Sequence, residues 1–227
     1  DTRSTSSGYL ELSRKVRAAP PINELRSVKM YIIDKLRNIK KSLSTHQPLI
    51  EIFIYKDRLL HNFHEYQQHY WNLQFAPVLK ANAYGHGLEQ VLTILKDQAL
   101  PFVAVDSHFE LRIAQKFAPN LQVLVIGFSR LESILRSKPH QASFTIVSFE
   151  QLEEISAKLK SRKRFHLKLD TGMHRQGVLP DVFDASVNLI KANPNIILEG
   201  LCSHLADPEN EAETQKQIGA WNSAVKY

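Results

Sequence analysis

The chain has 227 residues, 43% hydrophobic and 23% charged, which is the make-up of a globular protein large enough for one or two domains. It has no apolar run near the about 18 residues that a helical membrane span needs, and its single cysteine, Cys202, excludes an intrachain disulfide and fits a reducing, cytoplasmic setting. The net charge of +6 sits wholly in residues 1–47, with ten basic and four acidic residues, against nineteen of each in the rest; this argues against a whole-chain nucleic-acid binder.

Residues 1 to about 20 read as a polar lead-in that starts at Asp1 without an apolar leader and ends at Pro20-Pro21. Leu25, Val28, Ile32, Leu36, Ile39 and Leu43 then recur at helical spacing with basic residues between them, predicting a basic amphipathic helix. Its apolar stripe either docks on the rest of the protein or meets an anionic surface or partner. We therefore expect residues 1–47 to form a basic extension and residues 48–227 to form the principal domain.

From Glu51 the pattern alternates between short apolar runs and helical segments. Strands are expected at Ile52–Tyr55, Ala76–Leu79, Phe102–Val105, Val123–Ile126, Thr145–Val147, Phe165–Leu169 and Ile196–Leu201, with a helix around Arg58–Tyr70. Capping-box spacing opens two helices, at Ser107-x-x-Glu110 and Ser148-x-x-Gln151. Short apolar strands separated by helices imply a parallel sheet covered by helices. The strands after the first end at Lys80, Asp106, Gly127, Ser148, Asp170 and His204, polar or small residues that a βα barrel gathers on one face.

The stretch Val78-Leu-Lys-Ala-Asn-Ala-Tyr-Gly-His-Gly87 carries the chemistry. An apolar strand delivers Lys80 into a glycine-marked turn, where backbone N–H groups and a helix start favour phosphate. Partial desolvation of such a lysine disfavours its ammonium form and helps the amine attack a carbonyl. With Tyr84 four residues on, the set suits a Schiff base to pyridoxal phosphate, although a strand-end lysine alone is more often a solvated cap. His86, between two glycines, reads as turn structure. No His, Cys, Asp or Glu cluster has metal-ligand spacing, so no metal is expected, and Cys202 reads as a small core residue.

Lys80 to Gly87 resembles the cofactor-lysine motif of the alanine racemases. Leu167-Lys-Leu-Asp-Thr-Gly-Met-His-Arg-Gln-Gly177 and Glu199-Gly-Leu-Cys-Ser-His204 match in the same order, and the resemblance runs from about Leu49 to the last residue. It implies an α/β fold, a TIM-like (β/α)8 barrel with about six of the eight units in this chain. It also implies a missing C-terminal β domain, which the strand at Ile52–Tyr55 would join. On this reading the chain is the N-terminal part of a longer enzyme and inactive alone.

By that resemblance Lys80 binds pyridoxal 5′-phosphate and is the catalytic base on one face of the substrate. Tyr84 contacts the phosphate, with a packed turn tyrosine as the alternative. Arg175 holds the substrate carboxylate and the phenolic oxygen of the cofactor, with an ion pair to Asp170 as the competing role. Lys168 is open to carbamylation, with pairing to Asp170 as the alternative. His204 packs by the cofactor ring, or is simply bonded to backbone. Gln176 departs from the leucine common after the arginine, which affects packing. The implied reaction interconverts L- and D-alanine for peptidoglycan, in a homodimer whose partner subunit supplies a tyrosine as second base. A racemase of another small amino acid such as serine, or a non-catalytic pyridoxal-phosphate-binding barrel, are the alternatives.

Overall fold

The computed structural model describes residues 35–36, 50–137 and 141–225. Apart from the helical pair Lys35 and Leu36, the amphipathic helix expected between Leu25 and Leu43 lies outside the described residues. The barrel unit runs over Ile52–Tyr227. Its elements are α1 (Lys56–His69), α2 (Leu88–Leu95), β1 (Val103–Val105), α3 (His108–Phe117), β2 (Val123–Val125) and α4 (Leu131–Arg136). Then follow β3 (Ala142–Ile146), α5 (Phe149–Lys158), β4 (Lys163–Lys168), a 3-10 turn (Pro180–Val182), α6 (Phe183–Ala192), β5 (Ile196–Cys202) and α7 (Glu211–Ala224).

The five strands pair in parallel in the order β1-β2-β3-β4-β5, with Val103 facing Val123 and Phe144 facing Phe165. A doubly wound sheet reverses its strand order, whereas a barrel adds strands sequentially, so this order belongs to the barrel class. A sixth position lies beside β1, where Val78 bridges Ala104 in parallel. There Leu79 N–H donates to the Ala104 carbonyl at 2.7 Å, and Ala104 N–H to the Pro77 carbonyl at 2.8 Å. The strand expected at Ala76–Leu79 is thus a single bridge, because Pro77 has no N–H to extend the ladder.

The strand expected at Ile52–Tyr55 is not formed among the described residues. Ile52, Phe53 and Tyr55 are exposed, and an extended segment without a ladder partner leaves its backbone groups to water. Elsewhere the strands differ from expectation at their ends. The strand expected at Thr145–Val147 is β3, which starts earlier, at Ala142, and ends at Ile146, and β4 begins at Lys163.

The core forms where helices cover the sheet. Leu92, Val103, Val105, Leu111, Val125, Ile134, Phe144, Ile146, Leu152, Phe165 and Leu167 are all essentially inaccessible. Along β4 the alternation is strict: Lys163, Phe165 and Leu167 are buried, while Arg164, His166 and Lys168 are half-buried on the opposite face. That face is polar. Arg164 pairs with Glu199 at 3.2 Å, and Ser143 Oγ donates to the same carboxylate. The register breaks between Phe165 and His166, so that Phe165 faces Leu198 and His166 faces Gly200. Glu199 is left as the bulged residue.

Both expected helix starts form, with Ser107 Oγ accepting from Glu110 N–H at 3.3 Å and Ser148 Oγ from Gln151 N–H at 3.2 Å. Neither is a reciprocal box. Gln151 Oε1 instead accepts from Val147 N–H at 2.8 Å, and Glu110 likewise reaches back to the end of the preceding strand.

Candidate functional site

Lys80 leaves the Val78 bridge into an unusual turn. Ala81, Asn82, Ala83 and Tyr84 are all left-handed, with φ between 52° and 56°, and Gly85 and Gly87 follow at 86° and 94°. Each non-glycine residue there costs about 1–2 kcal/mol, so the conformation persists only if its surroundings over-determine it. They do. Asn82 N–H donates to Glu110 Oε1 at 3.0 Å, and Asn82 Oδ1 accepts from Leu88 N–H at 2.8 Å. Ala83 N–H donates to the Leu79 carbonyl at 2.9 Å, and His86 Nδ1 lies 3.0 Å from the Ala83 carbonyl. His86 is turn structure, as its place between glycines suggested. One expected phosphate donor is already used, since the first N–H of α2 is held by Asn82.

Glu110 is the residue that the sequence reading undervalued. It is buried, and its second oxygen accepts from Asp106 N–H at 2.9 Å, so one carboxylate ties the end of β1 to the turn after Lys80. Its spacing from Ser107 was a signal, but one that spoke only of the helix start.

After β4 the chain folds on Asp170. This carboxylate is buried; Oδ1 accepts from Gly172 and His174 N–H at 3.0 Å each, and Oδ2 from Arg175 N–H at 3.1 Å. Burial by itself raises the Asp170 pKa, but the N–H bonds from His174, Gly172 and Arg175, together with the charge of His174, hold it below the ordinary carboxylate value. Gly177 closes the turn at φ 139°, where a Cβ would stand 2.5 Å from Asp170 N. Only glycine fits there. Among the described residues no ion pair within 4.0 Å joins Asp170 to Arg175 or Lys168, because backbone N–H groups occupy its oxygens. The alternative roles that relied on those pairs are not seen.

Four expected site residues gather at the C-terminal ends of the strands: Lys80 after the bridge, Lys168 at the end of β4, Arg175 in the following turn, and His204 after β5. Burial lowers the Lys168 pKa; Cys202 and Asp170 oppose this, while Arg175 and Lys80 reinforce it. Burial likewise lowers that of His204, followed by repulsion from Arg175, Lys168 and Lys80. The Cys202 thiol is pushed up to about 11 by burial, with Lys168 pulling the other way, so it is neutral at pH 7. Tyr84 sits in the same turn as Lys80, 60% exposed, and its hydroxyl has no hydrogen-bond partner among the described residues. This is a cationic cluster, and the Asp170 carboxylate that acts on Lys168 is already engaged by backbone N–H groups. It fits a ligand carrying phosphate, phenolate or carboxylate groups, with Lys80 the amine free to meet an aldehyde.

Fold and site define a parallel βα-barrel chain with a cationic site at its C-terminal strand ends. The family model described as alanine racemase, N-terminal domain, matches residues 54–227. The chain belongs to the alanine racemase family. Among curated relatives, the alanine racemase of Methanococcus maripaludis is 32% identical over 145 residues, 62% of this chain and 39% of the relative. The serine/alanine racemase of Enterococcus gallinarum is 31% identical over 179 residues, 75% of this chain and 25% of the relative. The solved alanine racemase of Clostridium difficile 630 superposes with a TM-score of 0.68 at 26% identity, over 75% of this chain and 46% of that one. The chain spans about half or less of the length of these relatives.

Proposed function

We propose that this chain contributes the cofactor-binding half of an alanine racemase. The observation that carries the reading is the convergence of Lys80, Lys168, Arg175 and His204 around a left-handed turn held by buried Glu110. The residues fit pyridoxal 5′-phosphate: the Lys80 amine as covalent anchor, the Tyr84 hydroxyl toward phosphate, Arg175 toward the phenolic oxygen, and His204 beside the ring. Bound there, the cofactor supplies the electron-withdrawing ring that makes the α-proton of an amino acid removable.

The protein's own groups do the rest. Lys80 Nζ takes and returns the proton on one face of the α-carbon. Arg175 pairs the substrate carboxylate through its planar guanidinium and so orients the Cα–H bond toward Lys80. His204, whose pKa is lowered first by burial and then by its cationic neighbours, adds no further positive charge to the site. Burial, helped by the charges of Arg175 and Lys80, lowers the Lys168 pKa and so enlarges the share of neutral amine, the form that can add to the carbon of CO2 and lose a proton. The resulting carbamate would turn a repelling cation into an anion that positions Arg175.

The opposite face needs a second base. We infer that a partner subunit supplies it in a homodimer, that the product D-alanine serves peptidoglycan synthesis, and that the enzyme is cytoplasmic. The match to a serine/alanine racemase favours serine as the alternative substrate.

The test is borohydride reduction of the full-length protein with pyridoxal phosphate, followed by peptide mapping and racemisation assays in both directions. Label on Lys80 and interconversion of L- and D-alanine are expected. Label on any other residue would overturn the assignment.

A further inference from the structure

Gln217 on α7 lies outside the three segments that carry the family resemblance. It is the one buried residue of its helix, 4% exposed. Its amide is fully engaged across two strand ends: Nε2 donates to Thr171 Oγ1 at 3.1 Å and to the His204 carbonyl at 3.0 Å, and Oε1 accepts from Ala206 N–H at 2.7 Å. Thr171 Oγ1 lies 2.8 Å from Ser203 Oγ, closing a ring of polar contacts. The neighbouring backbone passes close overhead, since a Cβ on Gly172 would stand 3.2 Å from Gln217 Cγ.

Thr171 opens the turn that presents Arg175, and the residues His204 to Ala206 are the exit of β5. An apolar side chain in this place would add burial but no fixed register. An amide with its donors and acceptor all engaged accepts one arrangement of the two loops. We propose that Gln217 is a positioning residue that locks the Arg175 turn to the His204 segment and thereby sets the spacing of the two groups receiving the substrate carboxylate and the cofactor ring. The inference rests on the racemase reading for its consequence, though not for its geometry.

Two variants test it in the full-length protein: Gln217→Met, which keeps the volume and removes every hydrogen bond of the amide, and Thr171→Val, which removes the Gln217 contact together with that to Ser203. Without any ligand, Gln217→Met is expected to raise amide exchange about tenfold at Ala206 and Gly172 to Arg175, leaving α5 unchanged. With cofactor bound, the KM for alanine should rise about tenfold with a smaller change in kcat, and the cofactor absorbance should shift. Thr171→Val should move KM in the same direction, and the double variant should fall clearly short of the sum of the two single effects, because the two substitutions share one bond. Wild-type exchange in folded Gln217→Met, or additive effects of the two substitutions, would overturn the proposal. If the wild-type protein carries no label on Lys80, the racemase reading fails instead, and the exchange data still decide whether Gln217 locks the loops.

Discussion

Replacing Asp170 by Asn isolates what the buried carboxylate does. The wild-type group accepts three backbone N–H bonds at 3.0–3.1 Å from Gly172, His174 and Arg175. An asparagine can keep its oxygen toward Gly172 and His174, but it turns an NH2 donor toward the Arg175 N–H. One charge-assisted bond is lost and two are weakened; at about 1.5–3 kcal/mol for a bond to a charged group, a local cost of about 3 kcal/mol follows. Opening of the turn should then become roughly 100-fold more frequent.

Amide exchange at His174 and Arg175, read beside core amides such as Phe165, measures this directly. The pH dependence supplies a second check. Because the folded pKa of Asp170 is lowered, its stabilisation is present above the ordinary value of 3.8 and is lost as pH falls through the folded pKa. The wild-type turn should therefore loosen below about pH 4, whereas the Asn variant should show no such step. Unchanged exchange at Arg175, or the same acid step in both proteins, would refute the reasoning.

Arg175→Lys keeps the charge and loses the two-pronged contact, so the KM for alanine should rise by an order of magnitude or so in steady-state assays. Lys168→Ala should lose activity that about 50 mM acetate partly restores, if a carbamate is what positions Arg175; full activity without additive would exclude that role. Glu110→Gln can satisfy only one of the Asn82 and Asp106 N–H groups, costing about 2 kcal/mol; for a chain of this size thermal melts should fall by roughly 4–8 °C, with slower labelling of Lys80. The folded pKa of His204 is lowered from 6.5, so as pH falls below that value the unfolded chain takes up the proton first, and stability in pH-dependent melts should decline from there through the folded pKa.

Local chemistry by itself determined much of this protein. The alternation of apolar runs with helical segments is enough to specify parallel strands under helices, and the capping serines at Ser107 and Ser148 mark the starts of α3 and α5 within a residue. Lys80, Arg175 and His204 were visible because strand ends in a βα barrel must converge, and because the motifs around them resemble a known family. What sequence spacing could not supply was long-range pairing. Ile52–Tyr55 has the composition of a strand but no ladder partner among the described residues, and Pro77 reduces the strand before Lys80 to one bridge.

The strand was expected from Phe165, yet β4 starts at Lys163: Arg164 turns inward to Glu199, and Lys163 is buried with its amine on the Ser137 carbonyl. The left-handed turn after Lys80 depends on Glu110, twenty-eight residues away, and the spacing of the Arg175 and His204 segments passes through Gln217. Propensity and periodicity are properties of neighbouring residues, so they fix the kind of element. A buried hydrogen bond between distant residues exists only once the chain has folded, and those bonds decide where each functional side chain stands.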